Sequence, residues 1–504
     1  MTVPASASIG PGHGRLSLAG LRDLPAEVAR PDYDPGRLAC GILHLGIGAF
    51  HRAHQAWYTD AALGISGGAW GIIGASLRGA DMRDRLAAQD CLYTLVEKGA
   101  AGTRFRVVGA VRDAVFAPDD AVRLPLLIAD PHIRIVTLTV TEKGYCHDPA
   151  TGRLNLSHPD IVHDLAHLDA PVSTIGILVA GLMQRQREGG APITLQTCDN
   201  LPHNGATLRG IVLEFVARAD KETTAFIERE VAFPSSMVDR IVPATTDGLI
   251  HETAAALGVM DAAPVQAEPF SQWVIEDTFA AGRPAWEKVG AEFVPDVAPY
   301  EEMKLRLLNG SHSMLAYLGY LGGYEYIWQV MRDADYVTLM REMMREEVAP
   351  TLALAGKYDL DAYQASIVER FANPALLHRT EQITMDGSQK LPQRLLGTVR
   401  ANLKAGRPFR RLALAVAAWM RFVVGVDEHG KSIAVRDPLA AVLKERASAA
   451  GGDPHAIADA LLGVEAVFGA DLPHASAFRD EAGQALATLM HEGARKTVWR
   501  YARL

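Results

Sequence analysis

The feature that most constrains this chain is a short turn, His44-Leu45-Gly46-Ile47-Gly48-Ala49-Phe50-His51-Arg52, set directly after the first run of β-forming residues and directly before a helical pattern. A Gly-x-Gly in that place lets the backbone turn sharply and approach a pyrophosphate, whose charge then rests on the helix N-terminus. Such a turn calls for a parallel sheet with helices packed across it, and the flanking sequence agrees. Residues 40–45, 71–75, 133–140 and 193–198 read as strands, while 82–88 and 172–187, with apolar positions three and four apart, read as helices.

This alternation predicts an α/β, Rossmann-like nucleotide-binding domain. After about Pro299 the β-branched runs nearly vanish, and segments 301–318, 336–347 and 362–371, rich in Ala, Leu, Met, Arg and Glu, predict a mostly α-helical C-terminal domain. The expected division is a loose N-terminal tail over 1–29, the nucleotide-binding domain over 30–298 and a helical domain over 299–504.

Composition excludes several classes of function. With 59 acidic against 50 basic residues the formal charge is −9, which disfavours a surface built to neutralise phosphate backbones, so no nucleic-acid partner is expected. The longest apolar run, 412–420, is less than half of the ~20 residues a membrane span needs. The four cysteines, Cys40, Cys91, Cys146 and Cys198, form no Cys-x-x-Cys pair, and no His-Glu-x-x-His element is present, so neither a disulfide framework nor a metal is expected. Reduced cysteines, together with a start that lacks a basic, hydrophobic leader, predict a cytoplasmic location.

At the turn, Gly46, Ile47, Gly48, Ala49 and Phe50 are the candidates for holding a dinucleotide, with Arg52 as a phosphate partner. His51 stands where the third glycine of Gly-x-Gly-x-x-Gly is usual. It and His54 either line the site or are solvated polar residues of a helix start. The second strand ends Ser76-Leu77-Arg78-Gly79-Ala80-Asp81, with no acid at its tip, so the choice between NAD (through Asp81) and NADP (through Arg78 and Ser76) stays open.

The helix after Pro299 carries Lys304, Asn309 and His312. At about 100° per residue, Asn309 and His312 lie about 140° and about 80° around from Lys304, so all three can face one cleft. A desolvated lysine can act as a general base toward an alcohol, an amide can donate to a developing alkoxide, and an imidazole can orient a hydroxyl. The same residues also fit a plainer reading, with a solvated lysine, an asparagine beside Gly310 and a core histidine. Tyr300-x-x-x-Lys304 matches the short-chain dehydrogenase pair, but the glycine pattern and upstream serine of that family are absent. At the end of the 193–198 strand, Asn200 in Cys198-Asp199-Asn200 offers a second amide donor.

Taken together, Gly46-Ile47-Gly48-Ala49-Phe50-His51-Arg52-Ala53-His54-Gln55, Thr141-Glu142-Lys143-Gly144-Tyr145, Cys198-Asp199-Asn200, Met237-Val238-Asp239-Arg240-Ile241, Glu268-Pro269-Phe270 and Lys304 with Asn309 and His312 resemble the mannitol dehydrogenase family from about Arg30 to the C-terminus. The resemblance implies metal-independent hydride transfer between a nicotinamide and a sugar alcohol or sugar acid. It implies Lys304 as general acid/base, Asn200 and Asn309 as the oxyanion pair and His312 as the substrate-orienting residue. Longer stretches, among them Leu308-Asn309-Gly310-Ser311-His312-Ser313 and Met385-Asp386-Gly387-Ser388-Gln389-Lys390-Leu391-Pro392-Gln393-Arg394, are similar to the branch acting on fructuronate. A uronate needs a further cation, for which Lys390, then Arg394 or Arg379, are the candidates. The alternatives are a mannitol 2-dehydrogenase or tagaturonate reductase activity, or a non-catalytic nucleotide binder that senses redox state.

Overall fold

The computed structural model describes residues 14–148 and 151–504. The chain divides into two compact units, Met1–Ala298 and Pro299–Leu504.

In the first unit, six strands form one parallel sheet: β1 (Cys40–Leu45), β2 (Gly71–Ser76), β5 (Val111–Phe116), β6 (Ile135–Leu138), β7 (Ile193–Thr197) and β8 (Val231–Ala232), in the order β5-β2-β1-β6-β7-β8. This is the doubly wound order, and it reverses direction between β1 and β6, the point at which such sheets take ligands beyond their carboxyl ends. The strands are buried on both faces, which explains why they read as apolar runs rather than as alternating patterns. The β2-to-β5 crossover carries a hairpin, β3 (Tyr93–Gly99) and β4 (Gly102–Val108), which leaves the main sheet and pairs with β10 (Val265–Ala267). A third sheet joins β9 (Ser236–Asp239), β11 (Gln272–Glu276) and β12 (Glu292–Val294).

The expected tail is corrected in part. Residues 1–13 lie outside the described residues, but Leu16, Leu21, Leu24 and Val28 are buried against Leu92, Val107 and Leu257. Arg15 bridges to Met260 and Ala29 to Arg106. Apolar residues spaced every few positions gain more by packing on the sheet edge than by trailing in water, and the Pro/Gly-rich composition of the extreme N-terminus masked that pattern.

The second unit is helical. Its most apolar stretch, 412–420, lies inside the Arg410–Val423 helix and is buried throughout. It packs against the Gly310–Leu321 and Ser476–Glu492 helices, serving as the axis of the domain rather than as a membrane segment. Among the described residues no helix is long and apolar enough to cross a membrane. The four cysteines are unbridged, three of them buried.

The central helix starts without a capping side chain of its own. Glu347, buried in the neighbouring Met343–Val348 segment, supplies the cap, accepting from the backbone N–H of Arg411 at 2.9 Å and of Leu412 at 2.8 Å. Glu347→Ala orphans two buried donors and is expected to destabilise the protein by about 1–3 kcal/mol, read as a lowered thermal midpoint. Glu347→Gln, which keeps one acceptor, should recover part of the loss.

Candidate active site

The Gly46-Ile47-Gly48 turn is held from three sides. Gly46 adopts φ +102°, and a Cβ there would stand 2.1 Å from the Thr139 carbonyl oxygen, so only glycine fits. Gly74 on β2 has no side chain because the Ile47 Cδ1 occupies that space, 2.1 Å from where a Cβ would be. The Gly46 carbonyl accepts from Thr139 Oγ1 at 2.8 Å, and His44 Nε2 lies 2.8 Å from Thr139 Oγ1 and 3.1 Å from the same carbonyl. Ahead of Gly48 the space is open, its own imaginary Cβ meeting only Gly46 O at 3.8 Å. These residues open onto a cleft of about 560 Å³ that also takes in Ser76, Arg78, Thr139–141 and Lys143. A glycine turn that nothing else fills, at the switch point of the sheet, fits a dinucleotide pyrophosphate.

His51, in the third-glycine position, lies flat on His44 with ring centroids 3.4 Å apart and planes 12° off parallel. Burial holds the His44 imidazole down to about 3 and pushes His51 well below its ordinary value, so both are neutral. His54 is likewise buried, its Nε2 2.9 Å from the Gln272 carbonyl. Neither His51 nor His54 is solvated, and neither lines the cleft. Arg52 is also corrected: its guanidinium is 1% exposed, donates to Ala263 O at 2.5 Å and sits 5.4 Å from the Tyr93 ring centroid. Arg52 therefore ties the helix to the sheet around β10 and is turned away from any phosphate. Ala49 and Phe50 form the first turn behind Gly48, and Phe50 stacks on His54 at 5.1 Å. Of the three residues weighed for the ribose, Arg78 and Ser76 line the cleft, whereas Asp81 is exposed at the start of its helix and outside the cleft wall.

Two quoted motifs prove to be braces. Asp199 accepts from Val140 N at 2.9 Å, Thr141 N at 3.1 Å and Tyr145 Oη at 2.7 Å, so Cys198-Asp199-Asn200 fixes the loop carrying Glu142-Lys143-Gly144-Tyr145. Burial raises the Asp199 carboxyl against the pull of these bonds. Asn200, three residues beyond β7, is itself exposed. Buried Arg240 donates to Ala53 O at 2.6 Å and Glu268 O at 3.0 Å and pairs with Glu97, joining the third sheet to the first helix.

In the helical unit, Ala298–Met303 continues into a π-helical turn, Lys304–Asn309, and then into Gly310–Leu321. The Gly310 N–H donates to Leu305 O, five residues back. The α-helical spacing expected for this stretch is thereby corrected, because i→i+5 bonding brings residue 309 one turn above residue 304. Lys304 is 7% exposed. Asn309 Oδ1 and His312 Nε2 are buried without a hydrogen-bond partner, a costly state that hydroxyl groups of a substrate would relieve.

A second π turn, Pro392–Leu396, packs on the first through Gly310, whose absent Cβ leaves room for the Arg394 carbonyl at 2.8 Å. That approach lets Arg394 Nη1 donate to Ser313 Oγ at 3.1 Å. Lys390 lies in the Gly387–Leu391 helix, donating to Ile383 O at 3.3 Å and to Met385 O. Gly387 permits this placement, since a Cβ there would meet Tyr317 Oη at 2.3 Å and Trp419 Nε1 at 2.5 Å. Arg379 is removed from the anion-binding candidates: it pairs with Glu325 at 3.0 Å, sits 4.0 Å from Glu381 and 5.8 Å from the Tyr326 ring, and is 44% exposed.

Three residues of this site escaped the sequence reading. Phe371 stacks on His312 at 4.8 Å, His378 lies 5.3 Å from it, and Arg370 is buried beside Phe371. Burial pushes the His312 imidazole well below its ordinary value, and repulsion from the neighbouring His378 imidazole, were it protonated, and from Arg394, Arg370 and Lys390 acts in the same direction. No local motif marks Arg370; an arginine amid the apolar positions of a helix, Tyr363-x-x-x-Ile367-x-x-Arg370-Phe371, was the available signal.

The doubly wound sheet, the glycine cradle and a helical unit with a buried lysine, amide and imidazole define the class: a nicotinamide-type oxidoreductase acting on CH–OH groups. Comparison with known proteins gives the family. Residues 40–288 match the mannitol dehydrogenase Rossmann domain and residues 296–490 the mannitol dehydrogenase C-terminal domain. The D-mannonate oxidoreductase of Escherichia coli (strain K12) is 48% identical over 481 residues, covering 94% of this chain and 98% of that protein. Mannitol dehydrogenase DSF1 of Saccharomyces cerevisiae is 41% identical, covering 95% of each. Among solved structures, the ternary complex of Pseudomonas fluorescens mannitol 2-dehydrogenase with NAD and D-mannitol is 42% identical, covers 97% of this chain and 99% of that one, and superposes with a TM-score of 0.85. The chain belongs to the mannitol dehydrogenase family.

The neutral histidines make stability depend on pH. Burial lowers His378 from 6.5 to about 4, with Arg370 acting in the same direction. Between those values the unfolded chain binds a proton that the folded chain refuses, so this contribution is complete above pH 6.5 and is lost as pH falls toward 4. The thermal midpoint should therefore decline over that window, and His378→Gln should flatten the decline. Parallel pH profiles for the two proteins would contradict the placement of His378.

Proposed function

We propose that the protein reduces D-fructuronate to D-mannonate, reversibly, with NAD as its cofactor. The nicotinamide, when bound, supplies or accepts the hydride. Lys304 gives its proton to the ketone oxygen during reduction and takes it back from the alcohol during oxidation, so oxidation should improve as rising pH frees the amine. Asn309, one turn above Lys304, donates its amide N–H to the oxygen as negative charge develops, and Asn200 is assigned the same role. His312, kept neutral, orients a neighbouring hydroxyl through its unpartnered Nε2.

The observation that carries the choice of a sugar acid is the gathering of cations about His312. Arg370 precedes Phe371, which stacks on His312, Arg394 donates to Ser313 next to His312, and beyond burial these two cations with Lys390 lower the His312 imidazole in a chain whose net charge is −9. A neutral polyol gives no return for such a concentration, whereas a carboxylate does. The 48% identity to a D-mannonate oxidoreductase supports the same reading. The likeness to mannitol 2-dehydrogenase favours a second reading, fructose and mannitol as the pair. Tagaturonate is the third substrate to compare. For the cofactor, the NAD in that complex supports NAD, while Arg78 in the cleft is the reason to compare NADPH.

Assay of the purified protein with fructuronate, tagaturonate and fructose, each with NADH and NADPH, is expected to give the highest kcat/KM for fructuronate with NADH. A higher value for fructose would establish the second reading instead. Lys304→Ala should lower kcat by roughly 10²–10⁴-fold while NADH binding, followed by fluorescence, persists. Lys390→Met and Arg394→Met should each raise KM for fructuronate by roughly 10- to 100-fold and leave KM for fructose little changed.

A further inference from the structure

The nucleotide cleft contains a donor set that hydride transfer does not use. Cys146, His158 and Asp160 each present one ligating atom, and the three atoms lie within 4.8 Å of one another. All three side chains belong to the wall of the cleft formed by the glycine turn. The backbone arranges them. Cys146 follows the short helical turn Glu142–Tyr145 that Asp199 braces through Tyr145, and its sulfur is buried. His158 and Asp160 sit at the start of the Pro159–Ala166 helix, where the Asp160 N–H donates to His158 Nδ1 at 3.3 Å and the Asp160 carboxylate stands 3.9 Å from that nitrogen.

We propose that Cys146, His158 and Asp160 form a binding site for a thiophilic divalent cation such as Zn²⁺, and that the bound cation competes with the dinucleotide for the cleft. The donor set selects the ion. One sulfur, one imidazole nitrogen and one carboxylate oxygen suit a borderline-soft, four-coordinate metal and discriminate against Mg²⁺ and Ca²⁺, which take oxygen ligands. Tetrahedral coordination at about 2.0–2.3 Å needs ligand atoms closer together than 4.8 Å, a change reached by rotating the half-exposed His158 and the exposed Asp160 toward the fixed sulfur. The fourth position is left to water on the cleft side. On binding, the Cys146 S–H bond breaks, a sulfur–metal bond forms and the proton passes to solvent, with no change of oxidation state. A cation there takes up part of the volume needed by the dinucleotide and adds a positive charge beside Arg78 and Lys143 of the same wall.

The competition rests on the assignment of this cleft to the nucleotide, whereas the cation site does not, and the experiment separates them. Co²⁺ is added to chelator-treated protein without nucleotide or substrate. The expected result is a near-ultraviolet thiolate-to-cobalt charge-transfer band saturating at one equivalent and abolished by Zn²⁺. The band should vanish in Cys146→Ser and require at least ~10-fold more cobalt in His158→Asn, with thermal unfolding of the metal-free variants confirming that each is folded. No band, or an unchanged band in Cys146→Ser, overturns the site. NADH titration by fluorescence with and without Zn²⁺ then tests competition: a raised apparent Kd in the wild type and none in Cys146→Ser is expected, and an unchanged wild-type Kd overturns it. If NADH does not bind at all, the reading of the cleft fails while the cobalt result still stands or falls by itself.

Discussion

The chemistry of the helical unit depends on one departure from regular helix, the π turn at Lys304–Asn309. In an α-helix, residues five apart point well away from each other. With i→i+5 bonding they come one above the other, which brings the lysine and the asparagine to the same side of the helix. The wider turn is supported by its neighbours. Gly310 lets a second π turn come into backbone contact, and that contact delivers Arg394 to Ser313. The missing methyl group at Gly310 thus lets the two π turns touch and carries Arg394 to the helix that bears Lys304 and Asn309.

The nucleotide half is governed by a different economy. Its loop is fixed by side chains that bond to backbone groups: Thr139 and His44 at the Gly46 carbonyl, the Asp199 carboxylate at the N–H groups of Val140 and Thr141, Arg240 at the carbonyls of Ala53 and Glu268. Side chains that look available for ligands in the sequence are consumed in this way. Arg52 is the clearest case, a cation one turn from the glycines whose hydrogen bond goes to Ala263.

Much of the fold was legible because parallel strands and amphipathic helices have distinct periods, and each predicted strand over 40–45, 71–75, 133–140 and 193–198 has its counterpart within a few residues. The hairpin β3–β4, which leaves the main sheet, was not legible, since nothing local says which sheet a strand joins. Nor was the packing of residues 14–29, where four spaced apolar residues are too few for a periodic signal. Of the candidate residues, Lys304, Asn309, His312, Lys390 and Arg394 could be named from the sequence, whereas Arg370, Phe371 and His378 could not, because they come to notice only through proximity to His312.

The sequence by itself determined the doubly wound sheet, the glycine turn and the presence of a lysine, an amide and an imidazole on one helix, since these follow from local periodicity and from residue types that few other structures tolerate. Tertiary structure alone decided where the charges lie and what each one meets. Backbone carbonyls take up Arg52 and also hold Lys390, ion pairing takes up Arg379, and close packing at Gly310 carries Arg394 to Ser313, beside His312 in the chain. The physical reason is that a charge acts over a few ångströms in space without regard to its distance along the chain, so its partner is chosen by packing and not by sequence.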